Sequence, residues 1–303
     1  MYYICREPLA SFIMVLDYLF PIPQKRIMTN RISLLSAFLL LLTAVIGCNK
    51  IADFVGQVLD EEARQARLSD ELGDESIKRF EQMFRTEKFD FDYRGDKGGN
   101  ILHYAVMLEN LDRVKILVEK GADVNATDNH GQTPLHQAVE GVHYSDDKSG
   151  NMEIVKYLVE HGADVNAKSN LEDTVLHRAS AWGNLELIKY LVEHGADVNE
   201  KDWKQETPLY KAVQAHTENQ LDLVQFLVEH GADINAKAPF GETTLHFAVK
   251  GRNLELVEWL VEQGLDVNAK DDSGKTVLQY AKEYWNQEII EYLKEHGAEE
   301  SEQ

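Results

Sequence analysis

The sequence predicts an all-α protein, a solenoid of about six stacked helical repeats behind an N-terminal hydrophobic segment. A nine-residue stretch, Leu-Val-Glu-His-Gly-Ala-Asp-Val-Asn, occurs twice unchanged and four more times in related form. The glycines of these copies are 41, 33, 36, 33 and 33 residues apart, and a step near 33 is typical of a repeat array. The six copies are Leu117–Asn125, Leu158–Asn166, Leu191–Asn199, Leu227–Asn235, Leu260–Asn268 and Leu293–Glu299.

Residues 1–47 contain the pattern of a secretory signal. Ile32–Ile46 is an apolar run of 15 residues with basic residues before it, and a membrane-spanning helix needs roughly 20. Its end, Val45–Cys48, resembles a bacterial lipobox, in which cleavage before the cysteine leaves that cysteine lipidated. We therefore expect lipidation at Cys48 and a membrane-anchored lipoprotein of the bacterial cell envelope. The alternatives are secretion, or anchoring through an uncleaved N-terminal segment.

The segment upstream of this signal fits it poorly. We expect Met28 to be the true start, which gives Met28–Gly47 as a signal of ordinary length and makes residues 1–27 a mis-assigned extension. The alternative is that Leu9–Phe20, an apolar stretch broken by Asp17, is a second membrane-associated segment.

Residues 48–75 are predicted to form a linker or an amphipathic stalk helix. Apolar residues recur there at helical spacing, and a charged stretch follows. We favour a stalk that packs on the first repeat over a stripe that rests on the membrane. The apolar residues are Ile51, Phe54, Val55, Val58 and Leu59.

A second signature recurs in register with the glycines. In its fullest form, Thr-Pro-Leu-His-x-Ala at a 33-residue period, it resembles the ankyrin repeat, and the resemblance covers about residues 89–298. It implies helix–turn–helix pairs with protruding β-hairpin loops, stacked in an L-shaped section. The six copies are Asn100–His103, Thr133–His136, Thr174–His177, Thr207–Tyr210, Thr243–His246 and Thr276–Gln279.

The residues of one repeat explain its two helices without the family name. Thr133 supplies an N-cap oxygen, and Pro134 suits the first helical position, where an N–H is not needed. Leu135 and Ala138 then face inward. The second helix ends at a glycine such as Gly195, as at a left-handed C-cap.

The repeat domain is predicted to span residues 76–298, with an acidic tail at 299–303. Ser76–Arg85 reads as the helix of an N-terminal half-repeat cap, and the polar outer face of the last unit closes the other end. Eight extra residues at Val142–Ser149 and three near His216–Glu218 are predicted to lie in loops between helices.

Charge and composition exclude several function classes. The formal net charge is −21, and residues 48–303 carry 27 basic and 50 acidic side chains. Such a chain repels phosphate backbones, so we expect no nucleic acid partner and a protein partner with a basic surface. The two cysteines lie outside the repeats, so they form no disulfide or zinc site there. No catalytic motif occurs, and we predict neither an enzyme nor a cofactor.

The eleven histidines do not predict a metal site. Eight of them hold two repeated positions. Four lie within the signature, where the ankyrin resemblance implies that the imidazole braces the turn, and four precede the C-cap glycine, where a partly cationic ring suits the helix dipole. The loop or hairpin histidines are His130, His143 and His216. The only candidate metal cluster is His143 with Asp146 and Asp147, and we expect it to hold no metal.

Aromatic side chains supply the candidate binding residues. Trp203 and Phe240 are predicted at hairpin tips, where stacking does not demand an aromatic residue. The ankyrin resemblance places Tyr104, Phe247 and Tyr280 on first helices that line a concave face; Trp182 and Tyr284 lie further along those helices, exposed or buried by neighbouring units. A stripe on the second helices is predicted to be core: Ile116, Tyr157, Tyr190, Phe226, Trp259 and Tyr292.

These features predict a monomeric, non-enzymatic protein-binding module tethered to a membrane. Its partner is expected on the hairpin tips and the concave inner helices. The alternatives are an envelope neutraliser or chaperone, a secreted host-interaction protein, and a passive structural spacer.

Overall fold

The computed structural model describes residues 74–95, 97–144 and 148–300. Outside the described residues lie the predicted signal, Cys48, the stalk up to residue 73, the acidic tail beyond residue 300, Asp146 and Asp147. The described part is helical throughout, and within it the sole β pairing is an isolated antiparallel bridge between Lys270 and Thr276. An all-α solenoid is thus confirmed.

Thirteen helices lie within the described ranges. The first is the helix of the predicted half-repeat cap, and the remaining twelve form six pairs. In chain order they are α1 Asp74–Thr86, α2 Ile101–Met107, α3 Leu111–Glu119, α4 Pro134–Tyr144, α5 Lys148–Glu160, α6 Val175–Ala181, α7 Leu185–Glu193, α8 Pro208–Gln214, α9 Gln220–Glu229, α10 Thr244–Gly251, α11 Leu254–Glu262, α12 Val277–Glu283 and α13 Gln287–Glu295.

Each pair with its signature residue is called a unit, numbered 1 to 6 from Asn100. The predicted caps are present: the Thr207 hydroxyl accepts from the N–H of Tyr210 at 3.3 Å, with Pro208 at the first helical position. Outside unit 2, an asparagine precedes each second helix, as does Asn184, whose side chain accepts from the N–H of Leu187 at 3.1 Å. Local sequence therefore sets both helix starts.

The glycine that ends each second helix is needed because the backbone there is left-handed, and not because a side chain would clash. Gly195 has a φ of 89°, in the left-handed region, and a Cβ added there would meet nothing within 4 Å. Its N–H donates to the carbonyl of Val192 at 3.0 Å, and the N–H of Ala196 donates to that of Leu191 at 3.0 Å. The chain then turns out of the stack toward the next unit.

The apolar core runs as one layer through all six units. First helices contribute residues such as Leu135 and Leu176, and second helices contribute residues such as Leu158 and Leu191, all fully buried. Helices contact their own pair and the equivalent helices of neighbouring units. The buried surface thus lies between units, as a solenoid requires.

The eight extra residues of unit 2 do not form the predicted loop. The helices on either side are lengthened instead, so α4 has 11 residues and α5 has 13, against 7 and 9 in unit 3. Only residues 145–147 separate them. Apolar Val142 and Met152 extend the inward pattern and are buried, which explains the longer helices. In unit 4 the three extra residues do lie between α8 and α9.

The aromatic stripe on the second helices is not core, contrary to the sequence prediction. Ile116 is exposed and the five rings are half-buried. Four of the rings instead pack against the imidazole one turn later, as Tyr190 does on His194 with centroids 4.0 Å apart. The His194 Nδ1 is 2.7 Å from the carbonyl oxygen of Tyr190 at the helix end. The stripe therefore covers helix ends on the outer side of the stack.

Candidate interaction surface

Three successive hairpin tips carry exposed apolar side chains. Leu171, Trp203 and Phe240 are 57%, 55% and 80% exposed, and they precede units 3, 4 and 5. These three side chains are called the tip surface. Trp203 and Phe240 are exposed as predicted; Leu171 was missed, although it aligns with Phe240 when the units are superimposed by their signatures. Exposed apolar residues on adjacent tips are typical of interaction sites.

Hydrogen bonds to the buried Asp202 side chain hold the turn that carries Trp203 in one conformation. The buried Asp202 carboxylate accepts from the N–H groups of Lys204 and Glu206, both at 2.9 Å. The N–H of Trp203 donates to the carbonyl of Leu171 at 3.1 Å, so the two tips are tied to each other. The Lys204 ammonium lies 5.2 Å from the centroid of the Trp203 ring. The indole is thus presented on a fixed turn beside a cation.

The Phe240 tip is strained. Phe240 has a φ of 65° and a ψ of 19°, a left-handed conformation that is uncommon outside glycine and asparagine. Gly241 follows with a φ of 73°, and a Cβ there would clash with the side chain of Asp272. The carbonyl of Phe240 accepts from the N–H of Asp272 at 2.8 Å. Strain retained at an exposed aromatic is a pattern found at binding sites.

Tyr104, Phe247 and Tyr280, predicted as concave contact residues, are instead buried. Tyr104 packs between Phe80 of the cap and Tyr93, with ring centroids 6.1 Å away in each case. These three side chains fill space between neighbouring units, so they present little surface to a partner.

Tyr280 is also fully engaged through its hydroxyl. The hydroxyl oxygen lies 2.7 Å from a carboxylate oxygen of Glu242 and 2.8 Å from one of Asp271, so its single proton is shared between the two acceptors. Burial and these two carboxylates raise the pKa of the phenol far above its usual value. Tyr280 thus ties the tip of unit 5 to unit 6.

In the middle of the array the same helix position carries cations. Arg178 pairs with Asp173 at 2.7 Å and with Glu140 of unit 2. Lys211 pairs with Asp202 at 2.9 Å and with Glu206. Burial opposes ionisation of Asp173, but the bonds from Arg178 and Ser169 outweigh it and hold the pKa of that carboxyl below its usual value. The inner face near the tips is therefore a set of satisfied ion pairs.

Trp182 lies at the other end of its helix, away from the tips. Its indole stacks on the His143 ring with centroids 4.6 Å apart. The two rings form one wall of an open groove of about 690 Å³ that also contacts Met152, Leu185 and Glu186. Of the predicted metal candidates only His143 is described, and it is part of this aromatic pair.

The last unit exposes two aromatic side chains. Tyr284 is 40% exposed, and Trp285, which the sequence analysis did not single out, is 85% exposed with a φ of 54°. Trp285 holds the position that Gly183 has in unit 3. This left-handed turn position could have drawn attention to it.

The signature histidines brace the units, as the resemblance implied. In unit 2 the Nδ1 of His136 accepts from the N–H of Thr133 at 3.2 Å, and its Nε2 donates to the carbonyl of Asp173 at 3.4 Å. Burial lowers the pKa of His136 to about 4, with nearby Arg178 acting in the same direction. Burial also lowers the pKa of His103, His177 and His246. These rings are structural and neutral.

Within the described ranges, no cluster of three potential metal ligands occurs. No described helix is both long and apolar enough to cross a membrane. The described helix pairs stack on one another and expose apolar side chains on successive hairpin turns, which is the arrangement of an α-solenoid repeat protein.

Comparisons agree with this class. A family model for ankyrin repeats in three copies matches residues 74–169, 142–238 and 217–303, so the chain belongs to the ankyrin-repeat family. The putative ankyrin repeat protein FPV219 of fowlpox virus is 46% identical over 41 residues, which is 14% of this chain and 9% of that protein. Protein phosphatase 1 regulatory subunit 27 of mouse is 36% identical over 69 residues, 23% of this chain and 45% of that protein. The chain therefore spans less than half the length of these relatives.

Proposed function

We propose that this chain is a non-catalytic binding module that holds a protein partner on the tip surface. Ankyrin repeats indicate a protein–protein interaction module. The observation that carries the finer proposal is the run of exposed Leu171, Trp203 and Phe240 on three adjacent tips. A desolvated tryptophan or other large anchor contributes about 2 kcal/mol or more to binding.

The charge of the chain favours a partner with a basic surface. Net charge is −21, and acidic residues outnumber basic ones by 52 to 31. Opposite charge raises the encounter rate and fixes orientation, while the apolar tips supply affinity. The match to a protein named as a regulatory subunit supports a non-catalytic role. A neutraliser or chaperone would use the same surface.

The test is a crosslinked pull-down from the native envelope fraction with a Trp203→Ala, Phe240→Ala double variant. The partner is expected to be lost while thermal unfolding stays unchanged. Trp285→Ala is the matched control, because it removes an exposed indole from a different part of the array. Retention of the partner by the double variant would remove the tips from the binding site. Absence of any saturable partner of the wild type would favour a passive spacer.

We further propose that the module is tethered to a membrane of the cell envelope through lipidated Cys48. The support is the sequence pattern Val45–Cys48 after a charged and apolar segment. Replacement of Cys48 by serine is expected to release the protein from the membrane fraction. Mass spectrometry that finds residues 1–47 still attached would contradict cleavage and favour an uncleaved anchor.

A further inference from the structure

Successive units are joined by three repeating kinds of hydrogen bond. The first runs from the signature histidine Nε2 to the carbonyl that precedes the signature of the next unit, as in His177 to Glu206 at 3.1 Å. The second joins tips, as in the N–H of Trp203 to Leu171. The third uses an asparagine after each C-cap glycine. The side chain of Asn199, for example, donates to the carbonyl of Gly231 and accepts from the N–H of the next aspartate, both at 2.8 Å.

All three kinds occur at four of the five junctions between units. The histidine bonds are 3.0 to 3.4 Å, the tip bonds 2.8 to 3.1 Å and the asparagine bonds 2.8 to 3.0 Å. They start from His103, His136, His177 and His246; from the tip N–H groups of Asn129, Asn170, Trp203 and Asp272; and from Asn125, Asn166, Asn199 and Asn268.

The junction between units 4 and 5, both fully described, has none of them. Tyr210 replaces the signature histidine, and its bond to the next unit is missing. Pro239 holds the tip position and has no N–H to donate. Asn235 forms no bond to Gly264 or to the N–H of Asp266, in contrast to its counterparts at the other junctions.

A bulky side chain accounts for the third loss. Leu265 follows Gly264 where the five other units have alanine. Its N–H lies 3.3 Å from the carbonyl of Leu260, whereas the corresponding alanine distances are 2.9 to 3.0 Å. The larger buried side chain thus loosens the turn that would otherwise meet Asn235.

What remains at this junction is apolar packing and two hydrogen bonds outside the repeating set. The Tyr210 and Phe247 rings meet edge to face at 4.1 Å. The Asn253 side chain donates to Gln220 at 2.8 Å, and the Thr244 hydroxyl donates to the carbonyl of Ile234 at 2.8 Å. Helices α8 and α10 pack as their counterparts do elsewhere. Apolar contact is non-directional, so it holds the units together without fixing their relative angle as the bonds do.

We infer that the array hinges between units 4 and 5, so that units 1–4 and units 5–6 act as two bodies. The hinge divides the tip surface. Trp203 is tied to Leu171 on the first body, and Phe240 is tied to Asp272 on the second. If the tips bind a partner as proposed above, a partner that contacts both bodies selects one hinge angle.

The hinge is tested by spin labels at a repeated exposed position that ends the second helices. The control pair, Glu160 and Glu229, spans junctions 2–3 and 3–4. The test pair, Glu193 and Glu262, spans junctions 3–4 and 4–5 and so includes the proposed hinge. Each is changed to cysteine in the full chain with Cys5 and Cys48 replaced by serine. Pulsed electron–electron double resonance is expected to give a broader distance distribution for the Glu193–Glu262 pair than for the Glu160–Glu229 pair. Equal widths would overturn the hinge.

Hydrogen exchange supplies a second measurement that needs no label. The N–H of Asp233 is bonded to Asn199, whereas Asp266 lacks the corresponding bond. Amide exchange at Asp266 is expected to be about fivefold faster or more. Equal protection of the two amides would contradict the missing bond.

Restoring the repeat residues should stiffen the junction. A Tyr210→His, Pro239→Asn, Leu265→Ala variant is expected to narrow the Glu193–Glu262 distribution to the width of the control pair. The reverse change at junction 2–3, His136→Tyr with Asn170→Pro and Ala196→Leu, should broaden Glu160–Glu229. These measurements need no partner. The hinge and the proposed binding of a partner by the tip surface are therefore tested independently, and either can fail while the other holds.

Discussion

The His143 imidazole lies flat against the Trp182 indole, with centroids 4.6 Å apart and planes inclined by 6°. The pair joins the extra turn of α4 in unit 2 to the end of α6 in unit 3. The insertion therefore has a packing role: it lengthens a helix until its last turn meets the neighbouring unit.

This stack predicts a measurable coupling. Stacked aromatic pairs are worth about 0.5–1.5 kcal/mol beyond the area they bury. In a double-mutant cycle with His143→Ala and Trp182→Ala, urea unfolding should show a coupling free energy in that range. Tyr284→Ala, at the equivalent position of unit 6, should change stability by only about 0.5 kcal/mol. Additive single effects at His143 and Trp182 would show that the stack is energetically neutral.

The buried signature histidines predict a stability that falls with acid. Their folded pKa is below the ordinary 6.5, and for His136 it is about 4, so the unfolded state binds more protons between these values. Their contribution is complete above pH 6.5 and is lost as the pH falls toward 4. Between these pH values, each such histidine adds up to about 1.4 kcal/mol per pH unit to the slope of the free energy of unfolding against pH.

The control comes from the chain itself, because unit 6 has Gln279 in place of the histidine. Its side chain accepts from the N–H of Thr276 at 2.8 Å, and it has no proton to gain. His136→Gln should therefore reduce the slope of stability against pH between 4 and 6.5 by about one histidine's share. An unchanged slope would place the titrating group elsewhere.

The left-handed backbone of Phe240 predicts a gain of stability on substitution. The side chain is 80% exposed, so Phe240→Gly loses little burial and relieves strain. The free energy of unfolding should rise by about 0.5–1 kcal/mol, measured by urea denaturation. Trp203→Gly, which is a tip change without such strain, should not stabilise. A destabilised Phe240→Gly protein would mean that the ring packs more than its exposure indicates.

Arg178 is predicted to be the most sensitive ion-pair residue of the described array. Its side chain is 12% exposed and pairs with Asp173 and Glu140, so Arg178→Met should destabilise by about 3 kcal/mol. Lys168→Met breaks the more exposed pair with Glu200, which solvent screens, so it should change stability far less than Arg178→Met in the same urea unfolding measurement.

A compensated variant separates the two causes of that loss. Arg178→Met with Asp173→Asn and Glu140→Gln leaves no unpaired buried charge, and most of the stability should return in urea unfolding. Failure to recover would show that Arg178 acts through packing instead of charge.

The helices and their ends could be predicted from the sequence because the interactions that set them are local. A cap such as Thr207 with Tyr210 spans three residues, and Gly195 needs only its own φ. The cap helix, the six pairs and the exposure of Trp203 and Phe240 follow from the repeat register. The helical form of the insert did not follow, because its apolar pattern competed with the expectation of a loop.

The burial of individual aromatic side chains could not be predicted in the same way. Tyr280 and Trp285 are five residues apart in one unit, yet one is buried under two carboxylates and the other is 85% exposed. The difference depends on Glu242, 38 residues earlier in the chain, and on a left-handed turn at Trp285.

The sequence by itself determined the period of the array, its acidic character, and the capping residues and helix boundaries outside the insert of unit 2. The period is visible in the repetition itself, the charge follows from composition, and the caps are set within about four residues. Only the tertiary structure decided the exposure of the other rings, the place of Leu171 beside Trp203 and Phe240, and the loss of every repeating bond at one junction. The reason is that units meet neighbours some 33 residues away. The effect of Pro239 and Leu265 on the repeating hydrogen bonds is visible only at the contact between two units.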